Sequence, residues 1–183
     1  MKKSELKTIT KLILEELYGK NEPPTEEPND NNKKHVDGKK HIALKYKFEG
    51  QKAAHMHLYK ISKSSKLIIK AYLLKQKEQS GKISNILNKN IGNFAMLMTY
   101  WLETIGGEDK AGREKASRLH KELNEYMEAI PKQLHIITYN SENDNYIEVY
   151  KQTKYLNVIF KNISQLIDLL FGQYEEGKLY EEI

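Results

Sequence analysis

From His41 to Gln76 the chain reads HIALKYKFEGQKAAHMHLYKISKSSKLIIKAYLLKQ, and the spacing of apolar residues here constrains the fold more than any other feature. Ile42, Leu44, Tyr46 and Phe48 alternate with other residues at the period of an extended strand. Small polar residues at Gly50-Gln51 and at Ser62 to Ser65 interrupt the alternation, as tight turns do. The pattern predicts a three-stranded antiparallel meander. Ala54, Met56 and Leu58 on the second strand, and Leu67, Ile69, Ala71 and Leu73 on the third, complete its buried face. The opposite face then carries Lys45, Lys47, His55, His57, Tyr59, Lys70 and Tyr72, because a shift of one residue would turn Met56 and Leu58 to water.

That face combines cations with rings. Lysines neutralise phosphates and release counterions, and flat rings accept stacked unpaired bases, so the expected ligand is nucleic acid, with single strands favoured. The same face has a plainer reading, since half-exposed sheets carry lysine and tyrosine on their wet side for solubility. His55 and His57 would present two imidazoles together, but no third ligand of fixed spacing accompanies them. Neither a metal nor a cofactor is expected.

The basic charge is localised. Residues 33 to 90 hold 15 lysines against Asp37, Glu49 and Glu78, a balance of +12, whereas residues 1 to 32 carry −2 and residues 91 to 183 carry −5. Such asymmetry suits a polyanionic partner, although lysine-rich coding produces some of it. No arginine lies in the block, which points to backbone contacts over base readout. The chain has no cysteine, excluding disulfides and thiolate chemistry. At 183 residues it suits one domain, and neither a membrane span nor a signal-peptide core stands out, so a cytoplasmic protein is expected.

Four segments follow in order. Residues 1–18 predict an amphipathic helix with Leu6, Ile9, Ile13 and Leu17 on one stripe, placed to dock on a partner, on a second copy or on its own domain. Residues 19–40, with Pro23, Pro24 and Pro28 among Asn and Asp, read as a flexible linker. Residues 41–175 form the domain, and residues 176–183 an acidic tail whose sign would let it fold over the basic face. Within the domain, Ser80 to Ile105 predicts a long helix with Ile83, Leu87, Ile91, Phe94, Met98, Trp101 and Ile105 inward. A second helix, Lys110 to Ile130, is ended by Pro131 and turns Ala116, Leu119, Leu123, Tyr126 and Ile130 inward. Leu134 to Tyr150 reads as a hairpin around a polar turn at Asn140 to Asn145. Tyr155 to Phe171 predicts a last helix burying Leu156, Ile159, Ile163, Ile167 and Leu170. The expected class is therefore α+β: a meander and a later hairpin packed on one face by two or three helices, with a tethered N-terminal helix.

Two local signals carry less. Gly107 and Gly112 have the separation of a phosphate loop, but Arg113 and Glu114 replace its lysine and hydroxyl residue, and a helix precedes it where a strand is required. Glu142, Asp144 and Glu148 lack the ligand spacing and central glycine of a calcium loop.

The opening MKKSELKTITKLILEEL resembles the lead segments of tailed-bacteriophage proteins, in which a short Lys- and Glu-rich helix precedes the body and serves capsid or scaffold targeting. In the T4-like group such leaders are cut after an apolar-x-Glu triplet, a form that Ile13-Leu14-Glu15 and Leu14-Glu15-Glu16 fit. The resemblance implies a viral origin, with host cytoplasm or virion as the location. Strands followed by a long helix occur twice in this reading, an element order similar to that of the Whirly and PUR single-strand binders without their residue motifs.

Three function classes remain at this stage. The first is a non-enzymatic, weakly sequence-selective nucleic-acid binder using the basic face. The second is a structural or protein-interaction protein acting through its N-terminal helix. The third, an enzyme, lacks a paired nucleophile and base, paired carboxylates or a metal cluster in the sequence, and no enzymatic activity is expected.

Overall fold

The 41–76 stretch is not a meander: it forms one helix, α1 (Gly38–Leu73), in the computed structural model. The structure describes residues 8, 11–13, 38–105 and 110–172, with side chains on α1 from Glu49 onward and without those of 103 and 104. Three further helices follow: α2 (Lys77–Ile105), α3 (Lys110–Glu142) and α4 (Tyr146–Gly172). No strand occurs among the described residues, so the expected α+β class is corrected to an all-α bundle.

The period explains the difference. Gly50, Ala54, Leu58, Ile61, Ser65 and Ile68 are all buried, at intervals of three or four residues, which is the spacing of one helix face. Met56, assigned to the same buried row as Leu58, stands 50% exposed on the far side, and Leu67 is 38% exposed while Ile68 and Ile69 are buried. Four alternating apolar residues from Ile42 to Phe48 suggest period two. The longer window obeys period 3.6.

The residues read as turns mark close helix packing. An ideal Cβ at Gly50 would lie 2.7 Å from Trp101 Cε2 and 2.8 Å from Phe171 Cε1, so only hydrogen fits between α1 and those rings. Ser64 and Ser65 are buried, and Ser65 Oγ donates to the Ile61 carbonyl at 2.9 Å, satisfying the hydroxyl inside the helix. Small polar residues thus serve an interface here, not a chain reversal.

The predicted hairpin at Leu134 to Tyr150 is likewise helical. Its polar turn is real, at Asn143 to Asn145, but it joins α3 to α4. Pro131 does not end α3: it lies inside the helix at an exposed position, and the helix continues to Glu142. The inward residues of the later helices follow the sequence reading. Leu87, Phe94, Met98 and Ile105 of α2, Ala116, Leu123 and Ile130 of α3, and Leu156, Ile159, Ile163, Ile167 and Leu170 of α4 are buried.

α1 packs most extensively on α2, and α3 on α4; α1 then meets α4 and α3, and α2 meets α3. These are two helical hairpins closed into an up-down-up-down bundle. Both hairpin loops end on the same six-to-one and five-to-two hydrogen bonds. Gln76 N–H bonds the Ala71 carbonyl and Lys75 N–H that of Tyr72; Asn145 N–H bonds the Asn140 carbonyl and Asp144 N–H that of Ser141. The two loops lie side by side, because Lys75 Nζ reaches Asp144 Oδ1 at 2.8 Å and the Ser141 carbonyl at 3.2 Å. The N-terminal segment contributes Ile13, which is fully buried in the core cluster.

Candidate functional site

A helix distributes the seven predicted face residues around its circumference. Successive residues turn by about 100°, so Tyr59 and Lys70 share a register on the outer side of α1, while Tyr72 falls in register with Ala54 on the packed side. Tyr72 is half-buried against the core. The side chains of Lys45 and Lys47 lie outside the described residues. The sheet face therefore does not exist as a unit.

The two histidines diverge as well. His55 Nε2 lies 2.7 Å from Asp168 Oδ1 on α4, and Gln51 Nε2 donates to the same oxygen at 2.8 Å, so these side chains tie α1 to the end of α4. His57 turns toward the opposite flank. Its Nδ1 is buried with no hydrogen-bond partner among the described residues, and burial, followed by the nearby charge of Lys60, lowers its pKa below the usual 6.5. Two histidines so separated cannot share a metal. Among the described residues no group of three or more potential metal-ligating side chains occurs.

What the helix does assemble is a different basic face. Lys52, Tyr59, Lys63 and Lys70 recur at intervals of seven, four and seven residues, a straight row along a helix, with Lys60 and Lys66 on either flank. Lys52, Lys60, Lys63 and Lys70 are exposed, and Tyr59 is 44% exposed. Beside them runs a second row, Met56, Lys60, Leu67 and Leu74, whose three apolar members are at least 38% exposed. From Lys52 to Lys70 the row spans about 27 Å at 1.5 Å per residue. Glu49 is the one acidic residue of α1, against nine lysines. Of the predicted set, Tyr59 and Lys70 belong to this face. The sequence reading missed Lys52, Lys60, Lys63 and Lys66, whose signal was the helical spacing itself.

The acidic residues near the α3–α4 loop are engaged internally. Asp144 binds Lys75, Glu142 pairs with Lys77 at 2.6 Å, and Glu148 accepts from Gln152 and lies 3.8 Å from Lys151. Each faces a donor or a cation, which argues against a bound cation there. Where the phosphate-loop likeness fell, Gly112 lies inside α3, and Lys110, Arg113, Glu114, Ser117 and Arg118 line a shallow depression. Of the N-terminal partner-binding candidates, Ile13 is buried in the chain's own core; Leu6, Ile9 and Leu17 lie outside the described residues. No described helix is long and apolar enough to cross a membrane.

No protein-family model, no curated protein and no solved structure matches the chain.

Proposed function

We propose that the chain is a non-enzymatic nucleic-acid-binding helical bundle that grips the phosphate backbone with the outer face of α1. The observation that supports this reading is the row Lys52, Lys60, Lys63, Lys66 and Lys70 on one side of a helix that carries a single acidic residue. Lys60, Lys63, Lys66 and Lys70 follow one another at three- or four-residue intervals, about one per 5.4 Å turn, so this part of the row offers cations in series to a phosphate backbone. Lysine without arginine favours charge contact over bidentate base reading, which makes the binding weakly sequence-selective. The stacking platform that favoured single strands was a property of the sheet. On the helix Tyr59 is the one exposed ring of the row, so this reading carries no strand preference.

The test is fluorescence anisotropy of the full chain with labelled single- and double-stranded oligonucleotides across a range of salt. Five phosphate contacts give a slope of log K against log salt of about −4.5 on duplex. Absence of binding at low salt would remove the proposal and leave the face to a protein ligand.

A further inference from the structure

Resting on the nucleic-acid reading above, we propose that the ligand is duplex DNA and that α1 enters its major groove with Met56 and Leu67 against thymine methyl groups. Lysines alone do not tell one polyanion from another; the residues standing between them do. At about 100° per residue, Met56, Lys63, Leu67 and Leu74 fall within about 20° of one line along the helix. That line is the crest of α1, opposite the buried Ala54, Ile61, Ser65 and Ile68. Leu74 keeps the register, because its N–H bonds the Lys70 carbonyl at 3.0 Å. Met56 is 50% exposed, Leu67 38% and Leu74 46%. Lys60 flanks the crest on one side, and Lys52, Tyr59 and Lys70 flank it on the other, all four exposed. Glu49, two turns before Met56 on the same line, bounds this stretch at its start.

An apolar crest between basic flanks suits a groove with anionic walls. A helix with its side chains is about 10–12 Å across, and the major groove of B-form DNA is about 12 Å wide. With the crest toward the base edges, Lys60 meets one phosphate wall while Lys52 and Lys70 meet the other. From Met56 to Leu67 the crest runs about 16 Å, roughly five base-pair steps. The apolar group that base edges present there is the C5 methyl of thymine, and between the two apolar residues Lys63 finds acceptors in guanine O6 and N7. The major groove of A-form RNA is too deep and narrow for side chains to read. An anionic lipid surface shares the charge of DNA, but sinking Met56 and Leu67 among acyl chains would draw the Lys63 ammonium in with them, at a desolvation cost.

The test is an anisotropy titration of the full chain with three labelled duplexes of one length: A·T-rich DNA, the same DNA with deoxyuridine for every thymidine, and the matching RNA. Deoxyuridine removes the C5 methyl and keeps both charge and pairing. Affinity should fall about threefold or more from the thymine to the uracil duplex, and further on RNA. A variant carrying Met56→Gln and Leu67→Gln, its helix content checked by circular dichroism, should bind the thymine and uracil duplexes equally. Equal binding of those two duplexes by the parent chain would overturn the groove assignment and leave the phosphate-backbone reading of α1 standing. Discrimination that survives in the variant would also overturn it, as would phosphatidylserine vesicles displacing the chain from the thymine duplex. Absence of binding to every duplex at low salt would overturn both readings together.

Discussion

Lys75 and Asp144 face each other at 2.8 Å across the two hairpin loops, and both sit at positive φ, 57° and 54°. Each closes the end of its helix in a left-handed conformation that side chains other than glycine adopt at a cost. The Tyr146 hydroxyl donates to the same Asp144 oxygen at 2.8 Å, and Lys75 lies over the Tyr146 ring. The two strained positions thus hold each other, and through them the two halves of the bundle.

The pair should register in pH. The hydrogen bond from Lys75 holds the Asp144 carboxyl below its usual 3.8, so its contribution is complete above that value and is lost as pH falls through the lowered folded pKa. The hydrogen bond to Asp144 raises Lys75 above 10.5, so its contribution is complete below that value and is lost as pH rises through the raised one. Asp144→Asn keeps a residue that tolerates positive φ but removes the charge. Its Tm should fall below wild type near neutral pH, and the gap should narrow below about pH 4 and in high salt. A gap of constant size at all pH values would mean that the pair contributes no charge interaction.

Gly50 and Gly92 separate helix propensity from packing. Alanine gains up to about 1 kcal/mol over glycine inside a helix. Gly92 has nothing within 4 Å of the added Cβ, so Gly92→Ala should raise Tm by a few degrees. At Gly50 the same atom meets Trp101 and Phe171 below 3 Å, and overpacking there costs about 1–3 kcal/mol. Gly50→Ala should therefore lower Tm, and thermal melts of the two variants should move in opposite directions.

Acid should weaken the bundle as pH falls below about 6.5. His57 is shifted down by burial and then by Lys60, and His120, whose Nε2 is buried without a partner among the described residues, is shifted down by burial. Both stay neutral in the folded state where the unfolded chain already binds a proton. The stability they contribute is complete above about pH 6.5 and is lost as pH falls through their lowered folded pKa values. Replacing His57 with Asn and His120 with Gln should flatten urea midpoints between pH 7 and pH 5, where the parent declines.

The sequence was legible where a helical period ran long and went unread where it competed with local signals. Leu87, Phe94, Met98 and Ile105 repeat over five turns and were placed correctly. On α1 the exposed Met56 and Leu67 supplied a false alternation, while Gly50 and Ser65 resembled turns because smallness serves a bend and a tight helix contact equally. Pro131 misled for a similar reason: an exposed proline within a helix costs stability, and packing of Ile130, Leu134 and Ile137 on both sides of it offsets that cost. The loop at Leu74 to Gln76 carries no glycine, and the Lys75–Asp144 bond that favours it joins residues 69 positions apart. Of the candidate site, charge localisation was visible, but which lysines share a face depended on the period.

That dependence makes the lysine row itself the sharpest test. Changing Lys52, Lys60 and Lys63 to glutamine removes three neighbouring cations from exposed positions, with folding expected to persist. If these residues contact phosphates, duplex affinity should fall at every sequence tested, and the slope of log K against log salt should flatten by about 0.9 for each lost contact. Changing Lys110, Lys115 and Lys121, exposed on α3, alters net charge equally and is the control. Equal losses in the two triple variants would mean that net charge alone governs binding. A loss confined to the α1 variant would locate the contact on the row that the helix, and not the sheet, brings together.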